Sequence, residues 1–585
     1  MRAAALLLAT LPFLVAAGVE AAAGPAPTLA WRLAPSDVAV YDVTPVSWKE
    51  GKEARGAAAV RTVYGHDLRD GGQYVPVTPA RADLPAVLAL RLPASGDATS
   101  VELRLLPRDA PPTTAKGKVA ARARDDGLLE VETSWTFSSA PPTERGTASL
   151  WVRGGTAHTV LAFDRAREVV VSSRVTLEYE TRPASAKDGK PATVSGTWDL
   201  VLREVRRTRY EGFQAHVDAA IDRGVAWLRT QSEPSGAFKP RGEDAFGPTA
   251  LAILTLVECG VPREDPLVEK AMGWLCLQPA PTSTYHRALA LVALERAYTP
   301  ASEEALLATG RQKGRIRALP PERRDFCRRV GDALLADVAS PGSWGYPSAA
   351  NALLQFDSSN TQYGALGMRA MARLGFEVPD TMWIGLVRHV QVCRERKAPR
   401  GVLRLRREGE RDPAPGETVA GATAAGEKVP EVAGFSYSTR DPEPTASMTL
   451  AGIACLELAR HELSSRGSRK WTPPVADEVA AWILGGWAWL DRHWGVDRNA
   501  EHPHGSWHLY FLYSLERAGV FSRVRTVGDK DWYFEGAVRL LLQQEKEGSW
   551  DAVDEQRLVA TCFALLFLKR ATPPLTHDEP TVAPK

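Results

Sequence analysis

The sequence lacks several features that would place it in a common functional class. Its 72 Lys and Arg nearly match its 70 Asp and Glu, and the formal net charge of +2 favours no nucleic-acid partner. The six cysteines include no CxxC pair, which argues against a zinc knuckle or a thioredoxin-like redox site. They stand far apart among apolar neighbours, which favours small buried side chains, although an oxidising compartment would permit a disulfide.

Long apolar runs are also scarce, and the one at the N-terminus is short. Residues 1–23 combine a basic start, an apolar core and a small-residue exit, which is typical of a secretory signal. The apolar core falls short of the roughly 20 residues that span a bilayer, and no later stretch is long enough. We therefore expect cleavage near Ala23, a periplasmic or secreted mature protein, and no membrane span in that protein.

Residues 26–210 show the periodicity of β-strands. Runs in which apolar and polar residues alternate are separated by Gly, Pro and Asp, which predicts antiparallel strands with one dry face. About nine to eleven such strands in one domain predict a β-sandwich or a partly closed barrel. A protein partner, if the chain has one, is expected at this β domain.

Residues 215–572 repeat one helical hairpin. Six amphipathic stretches each precede a nearly all-apolar stretch that ends in a related phrase, such as LVECG, VALERAY or LYSLERAG. A helix that is apolar on every side must be enclosed by other helices, so the repetition predicts six outer and inner pairs that close an (α/α)6 toroid. Residues 398–444 form one connection that is long enough for a lid or a disordered segment, and the composition of residues 408–432 predicts disorder there. GFSY at 434–437 repeats the GSWGY pattern and predicts that order resumes, and residues 573–585 are predicted to be a disordered tail.

The last hairpin carries the motif on which a family resemblance rests. Gln544, Gly548 and Trp550 match the QxxxGxW repeat of the squalene–hopene type of terpenoid cyclases, whose fold is shared by protein prenyltransferase β subunits. Looser versions occur in QSEPSGAF, SPGSWGY and HGSWHLY, at the same place in their hairpins. The chain resembles this superfamily, including its uncharacterised prenyltransferase and squalene-oxidase repeat proteins, over most of residues 215–572. The resemblance implies a toroid with a cavity for a lipid or a terpenoid.

In this architecture the inner helices begin at one mouth of the ring, and polar residues at those starts converge on the central cavity. The candidate mouth residues are Tyr285, His286, Asp357, Asn360, Gln362, Tyr437, His508, Tyr510, Asp554 and Cys562. Each of them also has a structural interpretation, and the first residues of the run from Asp357 to Gln362 can simply cap a helix. No metal or other cofactor is predicted.

The catalytic motifs of the resembling families are absent or incomplete. Cyclases of this type protonate their substrate with a DxDD motif, which occurs nowhere in the chain; the nearest counterpart, Asp357 to Asn360, keeps one carboxylate. Prenyltransferases hold zinc partly through D-x-C, whereas this chain has Ala560-Thr561-Cys562.

Two functions therefore stay open. The first is an exported binding or interaction protein for an apolar or amphipathic ligand. The second is an exported enzyme that acts on a lipid, a terpenoid or a polysaccharide, for which Asp357 and Asp554 are the only paired acids on offer. If side chains such as Trp507, Tyr510 and Phe563 fill the cavity, both functions fail and we expect the toroid to be a scaffold.

Overall fold

The computed structural model describes residues 38–50, 53–54, 60–67, 73–76, 99–103, 113–139, 150–164, 169–183, 192–206, 212–238, 244–300, 316–338, 342–346, 356–408, 430–502, 506–528, 530–552 and 555–575. The predicted signal sequence and Asp554 lie outside these ranges, as do the middle of the 398–444 insertion and most of the 573–585 tail.

The N-terminal half forms strands, as its alternation predicts. They are β1 (Val38–Glu50), β2 (Glu53–Ala54), β3 (Val60–Asp67), β4 (Gln73–Pro76), β5 (Thr99–Leu103), β6 (Thr113–Ala123), β7 (Leu129–Ser139), β8 (Leu150–Asp164), β9 (Val169–Pro183) and β10 (Ala192–Arg206). Their order in the sheet is β4-β3-β1-β10-β9-β8-β7-β6-β5, with β2 paired to β1. Every pairing is antiparallel.

The described strands make one open sheet, and the predicted sandwich is not found among them. Each strand from β6 to β10 pairs with the strand before it, and β1 joins the far side of β10, so all ten described strands of this half belong to one hydrogen-bonded sheet. The expected dry face is visible along β9, where Val175, Leu177 and Tyr179 are buried while Thr176 and Glu178 are exposed.

Twelve helices follow in the described part of the C-terminal half. They are α1 (Phe213–Arg229), α2 (Phe246–Glu258), α3 (Pro266–Leu277), α4 (Thr284–Ala297), α5 (Pro321–Ala336), α6 (Ser358–Arg373), α7 (Asp380–Val392), α8 (Ala446–Ser465), α9 (Pro473–Arg492), α10 (His508–Phe521), α11 (Trp532–Gln543) and α12 (Arg557–Lys569). Within the described ranges, none of these helices is both long and apolar enough to cross a membrane.

The even-numbered helices close into a ring. Contacts run from α2 to α4, α6, α8, α10 and α12, and α12 returns to α2. Each odd-numbered helix packs outside this ring: α1 contacts α12, α3 contacts α2, and the others likewise contact the inner helix that precedes them in the chain. The nearly all-apolar stretches thus lie inside, enclosed by their amphipathic partners.

Both ends of the 398–444 insertion are ordered, in agreement with the expected return of order at residues 434–437, whereas most of the 408–432 segment lies outside the described residues. Strand β11 (Leu405–Arg407) pairs with β12 (Val524–Val527), which in turn pairs with β13 (Lys530–Asp531). Phe435 is fully buried because it packs into the ring. The start of the predicted disordered tail is also packed, since Leu575 is buried in the same core.

The motif residues Gln544, Gly548 and Trp550 join the last hairpin to the first. Gln544 Nε2 donates to the backbone oxygens of Ala220, 2.8 Å away, and Gly548, 2.9 Å away. Gly548 has φ 104°, and a Cβ there would lie 2.3 Å from the Arg223 oxygen, so only glycine fits. Trp550 is fully buried and donates from Nε1 to Leu540 O at 2.8 Å. The motif therefore closes the ring.

A second structural feature recurs in four of the hairpins. In each one a buried threonine in the first turns of an inner helix accepts a hydrogen bond from the backbone of a buried aromatic residue just upstream. The donor and acceptor pairs are Phe238 and Thr249 at 2.9 Å, Trp344 and Thr361 at 3.1 Å, Phe435 and Thr449 at 3.1 Å, and Trp550 and Thr561 at 3.0 Å. These bonds fix the loops that precede the inner helices.

Candidate functional site

The inner helices run parallel, so the ring has two distinct mouths. Residues at the starts of α4 and α6 meet, as in the contact of Tyr285 with Ser359. Residues at the ends of α2 and α4 meet in the same way, as in the ion pair of Glu258 with Arg296. We call these ends the N-terminal mouth and the C-terminal mouth.

At the N-terminal mouth, Asp357 organises a hydroxyl cluster. Its Oδ1 caps α6 by accepting from the Asn360 backbone at 2.8 Å, and its Oδ2 accepts from Asn360 Nδ2 at 2.8 Å. Ser359 Oγ donates to Asp357 at 2.7 Å and accepts from the Tyr285 hydroxyl at 2.6 Å. Tyr437 completes the cluster, because its backbone oxygen accepts from Ser358 N at 2.8 Å. The sequence-predicted residues Tyr285, Asp357, Asn360 and Tyr437 therefore do converge.

Burial sets the protonation of this cluster. It raises the pKa of Asp357, although hydrogen bonds from Asn360 and Ser359 act in the opposite direction. Burial, and then the charge of Asp357, raises the pKa of Tyr437, and burial raises that of Tyr285. The two phenols stay neutral near pH 7 and act there as hydrogen-bonding groups.

Below this cluster, side chains fill the axis of the ring. The Tyr285 and Tyr363 rings are 4.7 Å apart, Tyr363 stacks on Tyr510 at 6.4 Å, and Tyr510 lies 6.2 Å from Phe563. The chain of rings thus crosses from α4 through α6 and α10 to α12. Tyr513 stacks on Phe563 at 5.3 Å and extends the aromatic plug towards the other mouth.

Gln362 and Tyr510 belong to this plug instead of lining an open cavity. Gln362 Oε1 accepts from the Tyr510 hydroxyl at 2.9 Å and from Arg517 Nη2 at 3.0 Å. The Arg517 guanidinium lies 4.0 Å from the Tyr513 ring centre and 5.2 Å from that of Tyr363. Side chains such as Tyr510 and Phe563 thus fill the axis, which is the condition stated for a scaffold, whereas Trp507 precedes α10 and lies outside the plug.

Trp507 departs from the pattern of the other motif tryptophans. Trp344 and Trp550 are fully buried, whereas Trp507 stands directly before α10, is 48% exposed and has the left-handed φ of 61°. The looser HGSWHLY motif therefore does not reproduce the geometry of the strict one. Tyr346 is 55% exposed, and its ring lies 6.1 Å from that of Tyr285. Among the residues whose side-chain exposure the structure describes, these are the two large exposed aromatic residues, and both are at the N-terminal mouth.

A groove of about 400 Å³ lies at the rim of the same mouth, between the starts of α2 and α4. Trp274 and Phe246 contribute apolar surface to it, and Glu233, Asp244 and Gln278 contribute polar groups. Its size and mixed lining fall in the range of small-molecule sites.

Three further predicted residues belong neither to the hydroxyl cluster nor to the aromatic plug. His286 stacks on Phe246 at 6.2 Å, with Nδ1 3.4 Å from Asp244 Oδ2. His508 Nε2 lies 2.7 Å from Val496 O and holds a loop. Cys562 is fully buried, and burial raises the pKa of its thiol to about 12.

The zinc site that the prenyltransferase resemblance suggests is not assembled in the described ranges. They contain no group of three His, Cys, Asp or Glu placed to hold a metal ion. The six cysteines are free thiols, four buried and two half-buried, so none forms a disulfide.

The C-terminal mouth carries charged residues that our sequence reasoning missed. The Glu258 carboxylate accepts hydrogen bonds from Nε and Nη2 of Arg296. Glu295 forms ion pairs with Arg373 at 3.0 Å and Arg317 at 2.7 Å. All five side chains are nearly buried. The available signal was the recurring acidic and basic pair in the helix-ending phrases, such as VALERAY and LYSLERAG.

Comparisons with known proteins leave the family undecided. No protein-family model and no curated protein matches the chain. Among solved structures, a family 76 glycoside hydrolase from a bovine Bacteroides thetaiotaomicron strain aligns with 81% of this chain and 98% of its own, at 6% identity and a TM-score of 0.33. Lipovitellin aligns with 87% of this chain and 58% of its own, at 10% identity and a TM-score of 0.18. Such scores carry no argument, so the cyclase and prenyltransferase resemblance stays a prediction.

Proposed function

We propose that this chain is an exported, non-catalytic binding protein whose amphipathic ligand is a carbohydrate chain that docks on the N-terminal mouth. A sugar ring is amphipathic because it has apolar C–H faces and hydroxyl edges. Export rests on the predicted signal sequence.

Trp507 is the observation that carries the proposal. A non-glycine residue in the left-handed region costs about 1–2 kcal/mol, and a large indole with half its surface in water gains little in return. Such strain, held on a surface, points towards a function of the strained side chain. An exposed indole face is suited to stack on the apolar face of a sugar.

The rest of the mouth supplies complementary groups. Tyr346 offers a second exposed ring, and the half-buried Tyr437 stands at the edge of the buried cluster of Asp357 and Ser359 at the start of α6. The groove of about 400 Å³ beside Trp274 gives one sugar unit or more a concave seat. Surface stacking also agrees with the filled axis, which leaves an apolar ligand little room between Tyr363 and Tyr510.

The test is binding of defined oligosaccharides to the mature protein, first on a glycan array and then by calorimetry. We expect Trp507→Gly to weaken binding at least about tenfold, because one aromatic stacking contact contributes roughly 1.5 kcal/mol. Arg523→Gly is the matched control, since Arg523 also has a left-handed φ, of 54°, but follows α10 at the opposite mouth. It should bind like the wild type. Absence of binding to any glycan, or unchanged affinity of Trp507→Gly, would overturn the proposal.

A second candidate is a hydrolase that acts on the same ligand. Glu233 and Asp244 both line the groove, and a pair of carboxylates is what glycoside hydrolysis requires. Release of reducing sugar that Glu233→Gln and Asp244→Asn each abolish would favour this candidate over simple binding.

A further inference from the structure

The C-terminal mouth contains a small cavity, lined by both apolar and charged side chains, that the proposed function does not use. Its volume is about 50 Å³, enough for a few water molecules or one small ion. Residues 571–573 cover it, and Thr572 is tied to Glu516 through its backbone N, at 2.9 Å, and its hydroxyl, at 2.6 Å.

The charges that line this cavity do not balance. Four arginines, Arg296, Arg369, Arg373 and Arg517, line it together with two glutamates, Glu258 and Glu295. Glu258 forms an ion pair with Arg296, and Glu295 forms ion pairs with Arg373 and Arg317. Arg369 and Arg517 remain, and neither forms an ion pair among the described residues.

Arg517 is the more deeply buried of the two, with 1% of its surface exposed. Its Nη2 donates to Gln362 Oε1 at 3.0 Å and to Ser514 Oγ at 3.4 Å, while Nε and Nη1 have no hydrogen-bond partner within the described ranges. The Tyr513 ring and the charge of the neighbouring Glu516 favour the guanidinium, but neither group accepts a hydrogen bond from Nε or Nη1. Buried guanidinium donors without a partner are costly, so this arrangement favours an added acceptor.

Arg369 is 8% exposed and lies 5.3 Å from the centre of the Phe521 ring. The carboxylates around it are engaged elsewhere: Glu295 pairs with arginines, and Glu462 pairs with Arg466 at 2.6 Å. Burial, and then the charge of Arg373, lowers the pKa of Arg369 to about 9. A nearby anion would relieve both effects.

We infer that the cavity at the C-terminal mouth binds one small oxyanion, a phosphate, a sulfate or a short carboxylate, between Arg369 and Arg517. Guanidinium groups suit this role because their planar donors match carboxylate and phosphate oxygens. The volume limits the ligand to an ion of a few heavy atoms. The bound ion would hold the C-termini of α6 and α10 together behind the tail.

The test combines release and rebinding of the ion. Dialysed wild-type protein is denatured, and the anions it releases are measured by ion chromatography. Inorganic phosphate, sulfate and acetate are then titrated in the low millimolar range against chloride at equal ionic strength. We expect either a stoichiometric released anion or a rise of several degrees in the melting temperature with at least one of the three.

Arg369→Gln should lower the affinity for that anion at least about tenfold, since it removes a charged hydrogen-bond donor. Arg369→Lys, which keeps the charge, should retain part of the effect and guards against misfolding of the first variant. Arg460→Gln is the control, because Arg460 pairs with Glu457 on the same ring but does not line the cavity. An equal anion effect in Arg369→Gln and the wild type would show general salt stabilisation, and no released ion with no melting shift would show a water-filled cavity. Either result would overturn the inference.

Discussion

The two mouths of the ring are built from the ends of the same six inner helices, yet their chemistry differs. The N-terminal mouth carries a cluster of hydroxyl groups around Asp357, whose carboxylate caps α6, and the exposed rings of Tyr346 and Trp507. The C-terminal mouth holds buried ion pairs such as Glu258 with Arg296, and the tail closes it. A strained, exposed aromatic side chain suits recognition, whereas buried and mutually paired charges suit the locking of helix ends. We therefore propose glycan binding at the N-terminal mouth and attribute the cohesion of the helix ends to the C-terminal mouth, whose small cavity we infer to hold an anion.

The largest difference is expected from Glu295→Gln at the C-terminal mouth. The substitution leaves the buried Arg317 and Arg373 without their shared carboxylate, so we expect a loss of about 3–5 kcal/mol in the free energy of unfolding. Urea unfolding measures it. Glu264→Gln, at an exposed pair with Arg263, should cost less than about 0.5 kcal/mol. Equal losses in the two variants would contradict the cohesive role of this mouth.

The pH dependence of stability should also follow the C-terminal mouth. Burial raises the pKa of Glu516 to about 7, so the folded state binds its proton more tightly than the unfolded state does. This stabilisation is fully present below about pH 4.5 and is lost as the pH rises through 7, by up to about 3 kcal/mol. Glu516→Gln should therefore gain stability relative to the wild type across that interval. An unchanged pH profile of unfolding in Glu516→Gln would contradict this explanation.

At the N-terminal mouth, Asp357→Ala should cost about 1 kcal/mol through loss of the cap on α6. Asp265→Ala removes a similar cap from α3 and should cost about the same. Only Asp357→Ala should also weaken glycan binding, as calorimetry on both variants would reveal. If the two variants bind alike, Asp357 is a structural cap alone.

The smallest expected effect has the opposite sign. Trp507→Gly should stabilise the fold by about 1 kcal/mol, because glycine adopts the φ of 61° without strain. Thermal unfolding beside the glycan measurement separates the two consequences. A variant that loses both stability and binding would mean that the indole is a packing residue.

The hairpins and their order were predictable from sequence, because nearly all-apolar inner helices such as α12 leave a clear composition signal. The hydroxyl cluster was predictable from position along the chain, because Tyr285, Asp357 and Tyr437 stand at the starts of inner helices or in the segments that precede them. The single open sheet was not, because alternation gives strands but not the layer to which each belongs.

The filled axis and the charged mouth could not be deduced in the same way. Whether Tyr363 and Tyr510 line a cavity or fill it depends on how far their side chains reach across the ring, which helical spacing does not encode. Glu295 and Arg317 are charged residues that composition alone places on the surface, yet mutual pairing buries them. Trp507 matched a motif by its letters, but its position next to α10 gives it a different conformation.

Side chains fill the axis of the ring, and we propose that the ligand binds outside it. Native mass spectrometry of the mature protein purified from its own envelope fraction, with solvent extraction of the same sample, tests this most directly. We expect that no lipid or terpenoid is retained in a one-to-one ratio and that added oligosaccharide appears as a mass increment that Trp507→Gly abolishes. A stoichiometric lipid in the extract would contradict it, because such a ligand would have to occupy the space assigned here to Tyr363, Tyr510 and Phe563.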